Sequence, residues 1–544
     1  MKFKGIFALC LAGFSMSAFA QSHVEGEEYY KADQFDNAKE LLLRSLKNQG
    51  TDKAVSSYYL GMIALRNKDK AEAEKYFNQG VEENPEYGYN YIGLGTLALL
   101  DGDLKTADVE FKEAEKTAKK DGSLQIAIAR AYDMADPVKY QKEIEKRLDN
   151  ARKRNNENPD IYIFEGDVLA RAKKWGDAGA KYEMAGKYNG TASDAYVKYA
   201  NLFTMVNPDY AIRMLKELLS LNPQSALGQR ELANAYYNAK DYKNAAAEYS
   251  KYIKNPSHFK QDENRYAFLL FYGGDYKKGY DYATQLLQAD PSNFTARRYQ
   301  FMNAAQLPEM KDQLLEMAEG LFKDHKANPK ANKFAAIDYT LIADELAKAK
   351  RPDEAIAVLQ EGIAEMPDNA GFSKDLAMKY VDQNNLTKAA EAFREYVKKT
   401  KEPGYNDYNQ QALFSFYAAV ENKENPELAK AFFDEVLANA NKMEEILPDN
   451  YKPKMFKGDV AKQTATTEEE AAIVAQPMYE QAVVLLEQAP DPSKYVRDAK
   501  TLYMYLGNCY LHKKNIAKAK EYYNKFLKLD PNNEAVRKYV EGLK

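Results

Sequence analysis

The sequence predicts an all-α solenoid, a linear stack of helical hairpins, on three observations. Residues 500–533 carry apolar residues at helical spacing on two faces, through Tyr503, Leu506, Gly507 and Tyr510 and then through Ala519, Tyr523 and Phe526. That is two short amphipathic helices, neither able to cover its own apolar face. The same frame returns upstream, where Gly61 and Gly95 stand 34 residues apart and each is followed twelve positions later by a small residue, Ala73 and Ala107, as Gly507 is by Ala519. Finally, 544 residues are too many for one core, whereas a repeat array adds core with every unit.

Residues 22–50 form a first, degenerate hairpin with Gly26, Tyr29, Ala38 and Leu42 in the frame positions. As the end of an array it needs a polar outer face, which Glu25, Glu27 and Glu28 supply. Regular hairpins follow at 54–87 and 88–121, completing an N-terminal block of 22–121. In them a glycine on the first helix lets the backbones approach, and an aromatic on the second, Phe77 or Phe111, fills the groove beside it. Pro85 ends the first of these pairs because its ring cannot continue the backbone ladder. From 122 to 158 the frame loosens: Asp136-Pro137 interrupts a helix, a charged run replaces the usual second one, and a longer helix is expected.

The register recovers over 159–293, with Gly166, Ala178 and Tyr182 in the frame. Residues 294–335 are irregular around Pro308, 336–448 are regular again, and 449–499 are the least repeat-like. Within the last, Thr467 stands three residues before Glu470 in capping-box order, predicting a helix start. Residues 500–544 hold the final hairpin, closed by Pro531, and a capping helix.

A 34-residue helix-turn-helix period with Gly61, Ala73, Phe77, Gly95, Ala107, Phe111, Gly166, Ala178, Gly507, Ala519 and Tyr523 at these places resembles the tetratricopeptide repeat, as in exported bacterial proteins with many such units. The resemblance implies a right-handed superhelix whose first helices line a concave groove. Carried over residue by residue, it places Arg230, Asn234, Tyr237 and Asn238 on that wall, flanked by Asn201 on one side and by Asn264, Arg265, Phe268 and Tyr272 on the other. Members that clamp a peptide's terminal carboxylate use a basic residue and an Asn where Arg230 and Asn234 stand; Arg265 occupies a place where they carry Asn. Replacing Arg230 and Asn234 together by Ala is expected to weaken partner binding and leave stability near wild type. The first regular pair offers a second, apolar groove through Val55, Tyr58, Met62, Leu65, Ile92 and Leu99, suited to a partner helix or to the chain's own preceding helix.

The remaining signals bear on location and chemistry. Lys2 and Lys4, an apolar run to residue 16 and Ala18-Phe19-Ala20 read as a cleavable secretory leader over residues 1–20, so an exported, periplasmic protein is expected. No later stretch is apolar enough to span a bilayer. A net charge of −4, from 77 basic and 81 acidic residues, gives no electrostatic case for nucleic acid. His23, His258, His325 and His512 are scattered without metal-ligand spacing, and neither a nucleophile elbow nor a phosphate-binding loop occurs, so no metal, cofactor or catalysis is expected. Cys509 is the one thiol left after cleavage. The function that follows is a non-catalytic scaffold or adaptor binding a protein or peptide in its groove. Two alternatives stand beside it: a glycan-binding protein using Tyr237, Phe268, Phe271 and Tyr272, and an enzyme with an unrecognised site in 449–480. Nothing in the pattern sets an oligomeric state.

Overall fold

The computed structural model describes residues 22–543, and the leader expected at residues 1–20 lies outside them. The described residues are helical hairpins throughout, with no strand among them, and divide into two units after Leu307. The N-terminal unit stacks eight hairpins and a closing helix. They are α1 (Ser22–Lys31) with α2 (Phe35–Lys47), α3 (Lys53–Arg66) with α4 (Lys70–Glu83), α5 (Tyr89–Leu100) with α6 (Leu104–Thr117), and α7 (Gly122–Ala135) with α8 (Gln141–Arg154). Next come α9 (Pro159–Arg171) with α10 (Trp175–Tyr188), α11 (Ser193–Phe203) with α12 (Pro208–Leu221), α13 (Ala226–Asn238) with α14 (Tyr242–Tyr252), α15 (Asp262–Tyr272) with α16 (Tyr276–Ala289), and α17 (Phe294–Ala304).

The C-terminal unit opens on a 3-10 turn at Pro308–Gln313 and α18 (Leu314–Ala327). It continues with α19 (Ala336–Lys348) and α20 (Pro352–Glu365), α21 (Ala370–Asp382) and α22 (Leu386–Lys399), α23 (Tyr405–Glu421) and α24 (Pro426–Ile446), and α25 (Lys452–Thr464) and α26 (Glu468–Glu487). After a second 3-10 turn at Pro492–Tyr495 it ends with α27 (Val496–His512), α28 (Ile516–Leu529) and α29 (Glu534–Gly542).

Several hairpins turn by one device. A residue in the left-handed region, Lys68 (φ 63°), Lys240 (φ 60°) or Lys514 (φ 57°), precedes a cap whose side chain accepts the amide hydrogen three residues on, as Asp69 does from Glu72. Gly102 (φ 83°) and Gly274 (φ 79°) hold the same place in two other turns, where glycine adopts it without strain. Once reversed, the helices close on the small residues. A methyl group at Gly95 would lie 2.5 Å from the Phe111 ring, and Gly166 and Gly507 meet Tyr182 and Tyr523 equally closely; Gly61 meets Phe77 in the same way. Ala73, Ala107, Ala178 and Ala519 are fully buried opposite them. Tyrosine hydroxyls mostly reach the polar edge, Tyr182 Oη donating to Asp167 Oδ1 at 2.9 Å and Tyr503 Oη to Glu487 Oε1 at 2.8 Å. Tyr29 is an exception, its hydroxyl buried without a hydrogen-bond partner.

Two irregular stretches prove more regular than their sequences suggest. Residues 122–158 hold an ordinary hairpin of two fourteen-residue helices, not a longer helix; Asp136-Pro137 lies in its turn, where Asp136 Oδ1 caps the amides of Val138 and Lys139. The charged run is the second helix, and its thin apolar stripe of Ile144, Leu148 and Ala151 is buried. Within 449–499, α25 and α26 repeat the glycine–aromatic contact, a methyl at Gly458 falling 2.6 Å from Tyr479. Thr467 does cap α26, accepting from the Glu470 amide at 3.1 Å.

Candidate functional site

The inner wall of the N-terminal unit is built from the first helices of its hairpins, and the wall closes on itself. The acidic helix α1, expected to be a solvated end cap, instead docks against α11 and α13 of the sixth and seventh hairpins. Tyr29 is fully buried there, its ring 5.3 Å from Phe259 and edge-on to it. Glu28 accepts hydrogen bonds from Ser193 Oγ at 3.0 Å and Ser225 Oγ at 3.3 Å. Asp33 pairs with Lys198, and Gln34 Nε2 donates to Glu231 Oε1 at 2.8 Å. Burial drives two carboxyls of α1 toward their neutral forms. It pushes Glu25 up to about 8, with repulsion from Glu28 adding to the effect, and Glu28 up to about 7 although the two serine hydroxyls oppose it. Glu25 Oε2 is buried with no hydrogen-bond partner.

Docking of α1 changes what the expected groove residues do. Arg230 and Asn234 lie one turn apart on α13 as expected, but the clamp is already filled from within the chain. Arg230 holds the Asp262 carboxylate with two bonds, Nε to Oδ2 at 2.7 Å and Nη2 to Oδ1 at 3.4 Å, and Tyr252 Oη donates to the same carboxylate at 2.9 Å. Its remaining nitrogen Nη1 donates to Gln34 Oε1 at 3.2 Å, and Asn234 Nδ2 lies 3.4 Å from Glu231 Oε1. With the Arg230 and Asp262 side chains only 17% and 8% exposed, the pair supports the wall rather than waiting for a ligand. The apolar groove of the second and third hairpins is likewise taken by the chain itself, Val55, Tyr58, Met62, Leu65, Ile92 and Leu99 all being buried.

Farther along the wall, the other expected residues form an accessible ledge. Tyr237 and Phe268 are half-buried with ring centres 5.8 Å apart, Phe268 lies 4.5 Å from Tyr272, and Tyr272 is 44% exposed. The Arg265 guanidinium sits 4.6 Å over the Tyr237 ring, an attraction between cation and ring face, and its Nε has no hydrogen-bond partner. Asn238 is exposed, whereas Asn264 accepts from Asn293 Nδ2 at 3.0 Å. Asn201 is also exposed, on α11.

Between α1 and the facing helices lies a cavity of about 230 Å3, walled by Tyr30, Tyr58, Tyr59 and Tyr89 and by charges of both signs. Arg130 Nη1 and Lys198 Nζ reach Asp167 at 2.8 and 2.9 Å. Burial pushes the Asp167 carboxyl up, but these two cations overcome it and hold it below its ordinary value. Asp194 goes the other way, burial raising its carboxyl against the pull of Lys31. Pairing within the chain makes these charges cross-links of the closed wall. Asp33, Gln34, Glu28 and Lys198 carry no local signal of this role, because the partners that join α1 and its turn to the facing helices lie 165 or more residues away.

Stacked antiparallel helical hairpins define an α-solenoid. Tetratricopeptide-repeat family profiles match residues 23–88 and 202–258, 346–406, and 501–533. The chain is a multi-repeat member of the tetratricopeptide-repeat family. No curated protein matches the sequence at a significant level. Among solved structures it is similar to the C-terminal part of a tetratricopeptide-repeat protein from Cytophaga hutchinsonii, at 16% identity and a TM-score of 0.41, over 52% of this chain and 99% of that one. It is also similar to a protective antigen of uropathogenic Escherichia coli with an SLR fold, at 15% identity and a TM-score of 0.40, over 82% and 95%. Yeast Tom70 matches at 16% identity and a TM-score of 0.31, over 90% and 99%.

Proposed function

We propose that the chain is a non-catalytic protein–protein interaction scaffold of a bacterial cell envelope, exported by the leader at residues 1–20, and that it holds a partner segment on the ledge formed by α13 and α15. The observation that carries this is the accessible run of Tyr237, Phe268 and Tyr272 beside Asn238 and Arg265, on a wall whose Arg230 clamp is already closed. A partner side chain inserted among these rings gains apolar area from groups that are already ordered, so little conformational entropy is lost on binding. The edge-on and tilted packing, 60° between Tyr237 and Phe268 and 41° between Phe268 and Tyr272, favours an inserted peptide side chain over a sugar ring, which needs a flat face. A photo-crosslinking residue in place of Tyr272, activated in intact cells and followed by mass spectrometry, tests the reading. Capture of a defined protein, lost on adding Phe268→Ala, is expected; an absence of adducts, or adducts indifferent to Phe268→Ala, would move the partner off the ledge. N-terminal sequencing of the exported protein should begin at Gln21.

A further inference from the structure

We propose that His325, Glu361 and Glu365 of the C-terminal unit bind one divalent transition ion of the zinc type. His325 lies near the end of α18 and is fully buried, while Glu361 and Glu365 stand one turn apart on α20 and so share a face. One nitrogen of the imidazole is fixed as a donor. Nδ1 lies 2.8 Å from the Asn332 carbonyl, which can only accept, so Nδ1 carries a proton and donates it. Asn332 is itself fixed by donating to the Asp324 carbonyl at 2.7 Å, and Phe334 stacks on the imidazole at 4.0 Å and 10°. A ring nitrogen tied to a backbone carbonyl, with the other nitrogen aimed into a cluster of donors, is how proteins orient a histidine ligand.

That other nitrogen, Nε2, meets Tyr339 Oη at 3.0 Å and Glu365 Oε1 at 3.4 Å. In the neutral ring, Nε2 and the carboxylate are both acceptors, and the single Tyr339 proton serves only one of them. A cation between them resolves the conflict. The 3.4 Å gap is close to the separation of two ligands around a tetrahedral ion with bonds of about 2.0–2.1 Å. One donor atom from each of the three residues lies within 4.8 Å of the others, so the two glutamates need only rotate to close on an ion. Their side chains are 25% and 41% exposed, leaving room to do so. Lys326 Nζ, 2.8 Å from Glu361 Oε2 and with its side chain 54% exposed, would swing into water as the ion arrives. One imidazole nitrogen and two carboxylate oxygens leave a fourth position for water or the Tyr339 hydroxyl. The competing occupant of the gap is a proton on Nε2, which would make an imidazolium–carboxylate pair and bind no metal.

The test titrates the full chain, first stripped with a chelator, with Co(II) followed optically and with Zn(II) by calorimetry. The expected result is one equivalent bound, displacement of Co(II) by Zn(II), and at least a tenfold loss of affinity in each of Glu361→Gln and Glu365→Gln while the metal-free melting temperature stays near wild type. Those two variants decide the matter even if His325→Gln fails to fold. Absence of stoichiometric uptake, or uptake unchanged in both glutamate variants, would overturn the proposal.

Discussion

Raising the pH should loosen the docking of α1 on the inner wall. The carboxyls of Glu25 and Glu28 are raised from an ordinary 4.5 to about 8 and about 7, in both cases chiefly by burial. A raised carboxyl favours the folded state in its neutral form. That stability is therefore fully present below 4.5, is lost as the pH climbs through 7 and then 8, and changes no further above that. At roughly 1.4 kcal/mol per pH unit, Glu25 alone sets an upper bound of about 5 kcal/mol. Water entering the contact as it ionises relieves much of this, so a loss on the order of 1–3 kcal/mol is expected between about pH 5 and pH 9. Hydrogen exchange of the Ser22–Lys31 amides measures it directly, since every 1.4 kcal/mol is roughly a tenfold change in protection. In Glu25→Gln, neutral at every pH, the dependence should shrink to the smaller share of Glu28. Protection that is flat with pH in the wild type, or equally steep in Glu25→Gln, would refute the reasoning.

Other expectations follow from packing. Gly61→Ala places a methyl against the Phe77 ring and should cost about 1–3 kcal/mol in denaturant unfolding, whereas Gly320→Ala, inside α18 with open space around it, should stabilise by about 0.5–1 kcal/mol. Ala519→Trp overfills a fully buried helix crossing and should destabilise by a similar amount. Arg230→Ala leaves Asp262 buried without its cation and should lower stability on the order of 3 kcal/mol, seen as a lower melting temperature. This replaces the sequence-based expectation that stability would be unaffected. The Cys509 thiol, buried and pushed up by burial to about 11, should resist Ellman's reagent in the folded protein and react only on unfolding.

The hairpins were legible because their decisive contact is local: glycine and aromatic are sixteen residues apart in Gly61–Phe77, Gly95–Phe111, Gly166–Tyr182 and Gly507–Tyr523. Gly458 and Tyr479 make the same contact across 21 residues, because α26 begins more than a turn earlier relative to its aromatic, and a search at fixed spacing passes over them. The second helix at Gln141–Arg154 was hidden by composition, since three buried residues suffice to dock it and the rest are charged or polar. The wall residues were legible by position in the repeat, yet whether each is open depends on partners far away in sequence. Asp262 is 32 residues from Arg230, and Gln34 is 196. His325 and the two glutamates escaped notice for the same reason, standing one repeat apart instead of on a single turn.

Zero-length carbodiimide crosslinking with peptide mass spectrometry tests the central claim, that α1 and its turn close the inner wall of the N-terminal unit. Asp33 and Lys198 form an ion pair across 165 residues, so an amide joining them should be recovered with a yield comparable to local reference pairs such as Lys379–Asp344 at 2.6 Å and Lys500–Asp530 at 2.7 Å. Recovery of the reference crosslinks without any Asp33–Lys198 product would contradict the account.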